Sequence, residues 1–199
     1  MQVRTSQTEA AVQRGLSRRR ATAEDEVARL IAAGRKLFGG AGDPRIADIV
    51  AMAGVSLEAF YRYFGSKSAF IAAVADDGTS RVVTYVRHKT EGADTPEQKL
   101  RAVVDAVMRQ AASPELAAAS RNLLGTRSDS TSVLTFRGEI ADLLSPVLGG
   151  LGSTDAPRDA RIAATAVIGA VEDHIWSDTR PTSDDIDRLV DFIARAVRR

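Results

Sequence analysis

Residues 43–69 read DPRIADIVAMAGVSLEAFYRYFGSKSA, and they describe two short helices and the start of a third. Asp43 stands where a helix cap belongs, with Pro44 in the first turn, where a missing N–H costs nothing. A helix from Arg45 to about Ala53 places Ile46, Ile49, Val50 and Ala53 along one side. Gly54 supplies the left-handed conformation that ends a helix cheaply, Val55 plugs the corner, and Ser56 caps a second helix, Leu57 to Phe64. Gly65 ends that helix and Ser66 caps the next. Two short helices joined by a tight turn containing Gly form a helix-turn-helix. Five of the chain's ten aromatic residues (Phe60, Tyr61, Tyr63, Phe64 and Phe70) fall within this stretch or one residue past it. Phe60 and Phe64, four apart, share a face and anchor the helix to a small core. Leu57, Glu58, Tyr61 and Arg62 lie toward the other side. A Tyr hydroxyl there, with Lys67 beside the next helix's N-terminus, suits phosphate oxygens.

The stretch resembles the DNA-binding domain of the TetR family of bacterial transcriptional regulators. The residues that carry the resemblance are Ile49 and Val50, Ala53-Gly54-Val55-Ser56, Phe60-Tyr61-Arg62-Tyr63-Phe64, Ser66-Lys67 and Phe70, with Phe38 closing the preceding helix. It covers roughly residues 24–75; beyond that only length and helical character match. Arg45, Val50 and Ser68 stand where the family often has Thr, Ala and Glu, and Glu58 puts an acid on the presumed DNA face. The resemblance implies an all-α fold of about nine helices. A helix-turn-helix domain (22–75) would be followed by a larger ligand-binding and dimerisation domain (76–199).

Net charge is only +1, but its distribution is uneven. Residues 1–22 carry five arginines against Glu9, residues 23–75 are balanced, and the remainder is acidic by three. Positive charge therefore collects just ahead of the helix-turn-helix, where an electrostatic footprint for DNA belongs. Residues 1–21 show little apolar periodicity and read as a mobile basic arm, with Arg18, Arg19 and Arg20 able to follow phosphates or enter the minor groove. There is no Cys, so disulfides and thiolate chemistry are excluded within this chain, a usage that fits a cytoplasmic protein. The longest apolar run, Ile162 to Val171, falls short of the ~20 residues a membrane span needs.

In order along the chain, Thr22 starts a first helix whose stripe is Val27, Leu30, Ile31, Leu37 and Phe38, ended by Gly39-Gly40 and Gly42. Ser66 begins a long helix running to about Thr90. Thr95-Pro96-Glu97-Gln98 opens another, with Leu100, Val103, Val104, Val107, Met108 and Ala111 buried. Ser113-Pro114 repeats the start signal for a helix ended by Gly125, and a polar loop follows to about Thr131. Val133 to Val147 suits a helix that Pro146 should kink or end. Asp155 caps a helix from Ala156 to about Thr179, and Ser183 caps the last. The middle of the 156–179 helix is apolar nearly all round, which calls for burial on every side. The last two helices (about 156–179 and 183–197) resemble the family's dimerisation pair, and the alternative is that both close the monomer's own core.

An enzyme reading finds no support. His88 and His174 are far apart, no HExxH or Gly-rich phosphate loop is present, and Glu172-Asp173-His174 reads as a solvated helix face. No catalytic residue, metal or cofactor is expected. A small-molecule pocket between helices of the second domain is more plausible, with Met108, Phe136, Arg137 and Trp176 as candidate lining residues. The resemblance implies a ligand-responsive transcriptional regulator, a repressor, that binds a palindromic operator as a homodimer. Arg45, Ser56, Leu57, Glu58, Tyr61, Arg62, Tyr63 and Lys67 form its DNA-facing set. Tyr61 and Lys67 would take phosphates, while Arg45, Leu57, Glu58 and Arg62 would face bases. The alternative is a helical small-molecule-binding module of the same fold without sequence-specific DNA binding.

Overall fold

A computed structural model of the chain describes residues 6–40, 43–112, 117 and 131–198. Eight helices are present among the described residues: α1 (Gln7–Phe38), α2 (Ile46–Ala53), α3 (Leu57–Phe64), α4 (Lys67–Glu91), α5 (Pro96–Ala112), α6 (Thr131–Gly150), α7 (Ala156–Ser177) and α8 (Ser183–Val197). There is no strand among these residues, so the expected all-α architecture stands. The helix and loop expected over 113–131 fall outside the described residues, apart from Ala117, which is buried, and Thr131, where α6 begins.

The largest difference from the sequence reading is at the start. The segment 1–21, expected to be a mobile basic arm, is helical from residue 7 and continuous with the helix expected to begin at Thr22. Ser6 and Glu9 form a reciprocal capping box, with Glu9 N–H donating to Ser6 Oγ at 3.1 Å and Ser6 N–H to Glu9 Oε2 at 2.8 Å. Residues 7–22 are rich in Ala, Arg and Gln, which favour helix intrinsically. Periodicity overlooks such a segment because it packs against nothing: the first buried residue of α1 is Leu30, followed by Ala33, Gly34 and Phe38.

The helix-turn-helix follows the sequence closely. Gly54 ends α2 at φ 62°, Ser56 caps α3 by accepting from Ala59 N–H at 3.1 Å, Gly65 ends α3 at φ 70°, and Ser66 caps α4. At the start of α2 the cap is Arg45, with no side-chain bond. Asp43, expected there, is instead taken by Lys67, whose Nζ donates to Asp43 Oδ2 at 2.6 Å. A charged partner outcompetes a single backbone N–H for the same carboxylate.

Beyond α4, helices α5 to α8 enclose an aliphatic core of valines, alanines, leucines and isoleucines with Met108. Pro146 lies inside α6 without ending it: the helix runs on to Gly150, because Val147 and Leu148 beyond it are buried in that core. Asp155 caps α7 as expected. Thr182, rather than Ser183, caps α8, in a capping box with Asp185. α8 lies on α5 through Ile186, Leu189, Val190 and Ile193, and the Arg101–Asp187 and Arg198–Glu97 ion pairs tie the two helices together. No helix among the described residues is long and apolar enough to cross a membrane.

Candidate nucleic-acid interface

Phe60 is fully buried and carries α3 into the small core of the first module, where it meets Phe64, Phe70, Ile49 and Phe38. With that side fixed, the opposite side must face solvent. Leu57 is 51% and Tyr61 47% exposed, and the Glu58 and Arg62 side chains also stand out. Tyr61 packs edge-on against Phe60 at 5.4 Å, and its hydroxyl bonds to no other described residue. An exposed Leu and Tyr one turn apart on a charged helix leave about half of each side chain uncovered in the monomer. Arg45 is exposed at the start of α2.

Three expected contacts are engaged within the protein. The Ser56 side chain is spent on its cap. Tyr63 is half-buried and turns to α1, donating its hydroxyl to Glu26 Oε2 at 2.5 Å. Lys67 is held by Asp43. Arg62 lies at the edge of the same cluster: its guanidinium sits over the Tyr63 ring at 5.1 Å, with Glu26 and Glu58 oxygens each 3.9 Å away. Hydrogen bonding to Tyr63, and then those two carboxylates, hold its pKa above the ordinary Arg value. A long arginine with counter-charges on two sides is oriented before any ligand arrives, which lowers the entropy lost on binding.

The sequence reading missed Glu26 and Arg29. Arg29 Nη1 donates to the carbonyls of Ala53 at 2.7 Å and Gly54 at 3.1 Å, satisfying orphan acceptors at the end of α2. Its Nε bonds Asp25 at 3.0 Å. Together Glu26 and Arg29 fasten α1 to both helices of the motif. Their spacing of three residues puts them on one face of α1, the one available clue, although charged residues beside a helix-turn-helix normally read as solvated. Arg18, Arg19 and Arg20 are exposed on α1, and Arg20 pairs with Glu24 at 2.7 Å.

Residues 30–74 match the family model described as bacterial regulatory proteins, tetR family. The N-terminal module is a TetR-family domain. The whole chain shares its fold with TetR-family structures. SCO4454 of Streptomyces coelicolor is 21% identical over 88% of this chain and 97% of its own, with a TM-score of 0.69. A transcriptional regulator, RHA1_ro04179, of Rhodococcus sp. Rha1 is 20% identical over 86% and 95%, at 0.68. FadR of Bacillus subtilis, solved with stearoyl-CoA, is 15% identical over 85% and 96%, at 0.63. No curated protein sequence matches the chain.

In the second domain of this TetR-fold chain, one of the four expected pocket residues lines a groove formed by described residues. Met108 borders an open groove of about 340 Å³ with Ala170, Asp173, His174, Asp185, Arg188, Leu189 and Phe192. Phe136 and Arg137 are half-buried on α6 and are not among its lining residues, and the Arg137 Nε is buried with no hydrogen-bond partner among the described residues. Trp176, expected inside, is 58% exposed, because it falls on the side of α7 opposite the buried stripe of Ala160, Ala164, Val167, Val171 and Ile175. The same outer side leaves Ile162 60% exposed, and Phe192 of α8 is 63% exposed. The expectation that α7 is covered all round is therefore met on one side only within a single chain.

Proposed function

We propose that the chain is a ligand-responsive transcriptional regulator, most simply a repressor, that binds a palindromic operator as a homodimer in the cytoplasm. The observation that carries this reading is the outward face of α3. Leu57, Glu58, Tyr61 and Arg62 project from a helix whose inner face is locked by Phe60, and α3 has the dimensions to lie in a major groove. Tyr61 takes a phosphate, as does Lys67 on leaving Asp43, while Arg45, Leu57, Glu58 and Arg62 face base edges. The uncovered apolar side of α7 and α8, with Ile162, Trp176 and Phe192, supports a two-fold partner of the same chain. Two reading helices would then sit about 34–36 Å apart, or a multiple of that. An effector bound in the second domain would act through its differential affinity for correctly and wrongly spaced dimers.

One observation favours the second reading, a module of this fold that does not read DNA: Lys67 and Arg62 already have acidic neighbours in the free protein. Selection of bound fragments from sheared genomic DNA, followed by salt titration of a recovered fragment, separates the two. A palindrome bound ~10³-fold above bulk DNA, with affinity falling steeply as salt rises, is the expected result. Tyr61→Phe and Lys67→Ala should each weaken it. Equal, weak binding to all DNA would leave only the second reading.

A further inference from the structure

We propose that residues 7–22 of α1 form a second, rigid DNA-binding element that lies on phosphates flanking the half-site read by α3, with Arg18 and Arg19 as its contacts. This rests on the DNA-reading function proposed above. Four observations carry it.

The first is the course of α1. From its C-terminal end backward, Arg35 meets Asp77 of α4 at 3.2 Å, Gly34 abuts Phe70 at the start of α4, Arg29 holds the end of α2, and Glu26 holds Tyr63 of α3. The helix thus passes from the second-domain side of the module to the reading helix, and the next turns toward the N-terminus leave the module beside α3. The second is the face. Arg18 lies about three turns before Arg29, and Arg19 about two turns before Glu26, so both continue the side of α1 that meets the helix-turn-helix. The third is the state of these side chains. Residues 11–22 are exposed, and neither Arg18 nor Arg19 forms an ion pair among the described residues, whereas Arg20 is held by Glu24. Over residues 6–22 the chain carries four arginines against one acid.

The fourth is shape. Sixteen helical residues span about 24 Å, equal to roughly seven base pairs. A helix of ~10–12 Å diameter does not enter a minor groove ~6 Å wide, and α3 would already occupy the major groove. The phosphate ridge is what remains within reach.

The experiment compares the full-length chain with Arg18→Ala/Arg19→Ala on an operator fragment recovered by selection, with flanks either long or trimmed to the palindrome, at several salt concentrations. Alanine is the best helix former, so the extension should keep its structure, as circular dichroism would verify. The expected result is a log–log salt slope smaller by about 1.8 for each protomer bound. The wild type alone should lose affinity when the flanks are trimmed. An unchanged slope with unchanged flank dependence overturns the inference and leaves the DNA-reading function intact. A wild type that binds no DNA specifically overturns that function and this inference with it. If exposed Val12 and Leu16 instead hold the extension against another copy of the chain, the slope is unchanged and Val12→Ser/Leu16→Ser lowers the assembly size in sedimentation, which also overturns it.

Discussion

The two cores of the molecule are made of different materials. Beneath the reading helix the core is small and stacked from phenyl rings: the Phe60 centroid lies 5.5 Å from Phe64 and 5.1 Å from Phe70, with Phe64 and Phe70 4.9 Å apart. In the second domain no aromatic side chain among the described residues is fully buried, and the core is aliphatic throughout. Helix length explains the contrast. α2 and α3 have eight residues each and bury two apiece, Ile49 with Ala53 and Ala59 with Phe60. Helices so short are unstable alone, so each depends on one large inward side chain, Ile49 in α2 and Phe60 in α3. α5 and α7 bury seven residues each, and small side chains suffice. A module that presents a reading face gains rigidity from a few large anchors; a domain proposed to respond to a ligand has its contacts spread thin.

The sharpest way to break this comparison is Phe60→Ala. Loss of a fully buried ring costs about 3–5 kcal/mol, a large share of a domain's ~5–15 kcal/mol. Amide exchange should show α2 and α3 losing protection while α6 and α7 keep theirs, with DNA binding abolished. Equal loss in α6 and α7 would mean that the two cores unfold as one.

Gly34→Ala probes the close approach that the aromatic core requires. An added Cβ would lie 2.6 Å from Phe70 Cζ and 2.8 Å from Val74 Cγ2, and both partners are fully buried. Overpacking of this kind costs about 1–3 kcal/mol, against a helix-propensity gain of about 1 kcal/mol. A net loss of up to about 2 kcal/mol in chemical denaturation is expected. Stabilisation would mean that α1 and α4 can separate at no cost.

Gly34 also marks where the sequence stops being legible. The helix-turn-helix could be read because its signals are local: Gly54, Ser56, Gly65 and Ser66 act within a few residues of themselves, and all four do in the structure what their chemistry implies. Gly34 sits mid-helix, and its purpose depends on a ring 36 residues away. The Glu26–Tyr63 and Lys67–Asp43 contacts are long-range in the same sense, so Tyr63 and Lys67 read from sequence as free when both are engaged. In the second domain, Trp176 read as a pocket-lining residue on a helix apolar nearly all round, whereas its register on α7 leaves it exposed on the side opposite the buried stripe. Helical register was readable there, but which side of α7 has neighbours was not.

A smaller effect is expected from Ile168→Val in the aliphatic core. Removing one methylene costs about 0.5–1.5 kcal/mol. Because burial is shared among many neighbours of similar size, specific DNA affinity should stay within about twofold, a free-energy change of about 0.4 kcal/mol. A larger change in affinity than in stability, measured on the same preparation, would show that the second core controls the reading head more tightly than the contrast between them implies.

The smallest effect concerns the cap of α8. Hydrogen bonds from the Thr182 hydroxyl and backbone N–H, at 2.7 and 2.8 Å, hold the Asp185 carboxyl below its ordinary pKa. A carboxyl depressed in the folded state contributes stability above its unfolded value, near 3.9, and that contribution is lost as pH falls through the folded value. Well above that range the carboxyl's own contribution to the cap is fully present. Below about 4 the first turn of α8 should fray, seen as faster exchange at Asp185 and Ile186. Thr182→Ala removes the hydroxyl's bond and should move the onset of fraying upward, toward the ordinary carboxylate range. Thr182→Ala lies outside the aromatic core, so exchange of the α3 amides should be the same in variant and wild type at each pH. A difference there would tie the two cores together through α5 and α4, and the material contrast between them would then carry no independence of behaviour.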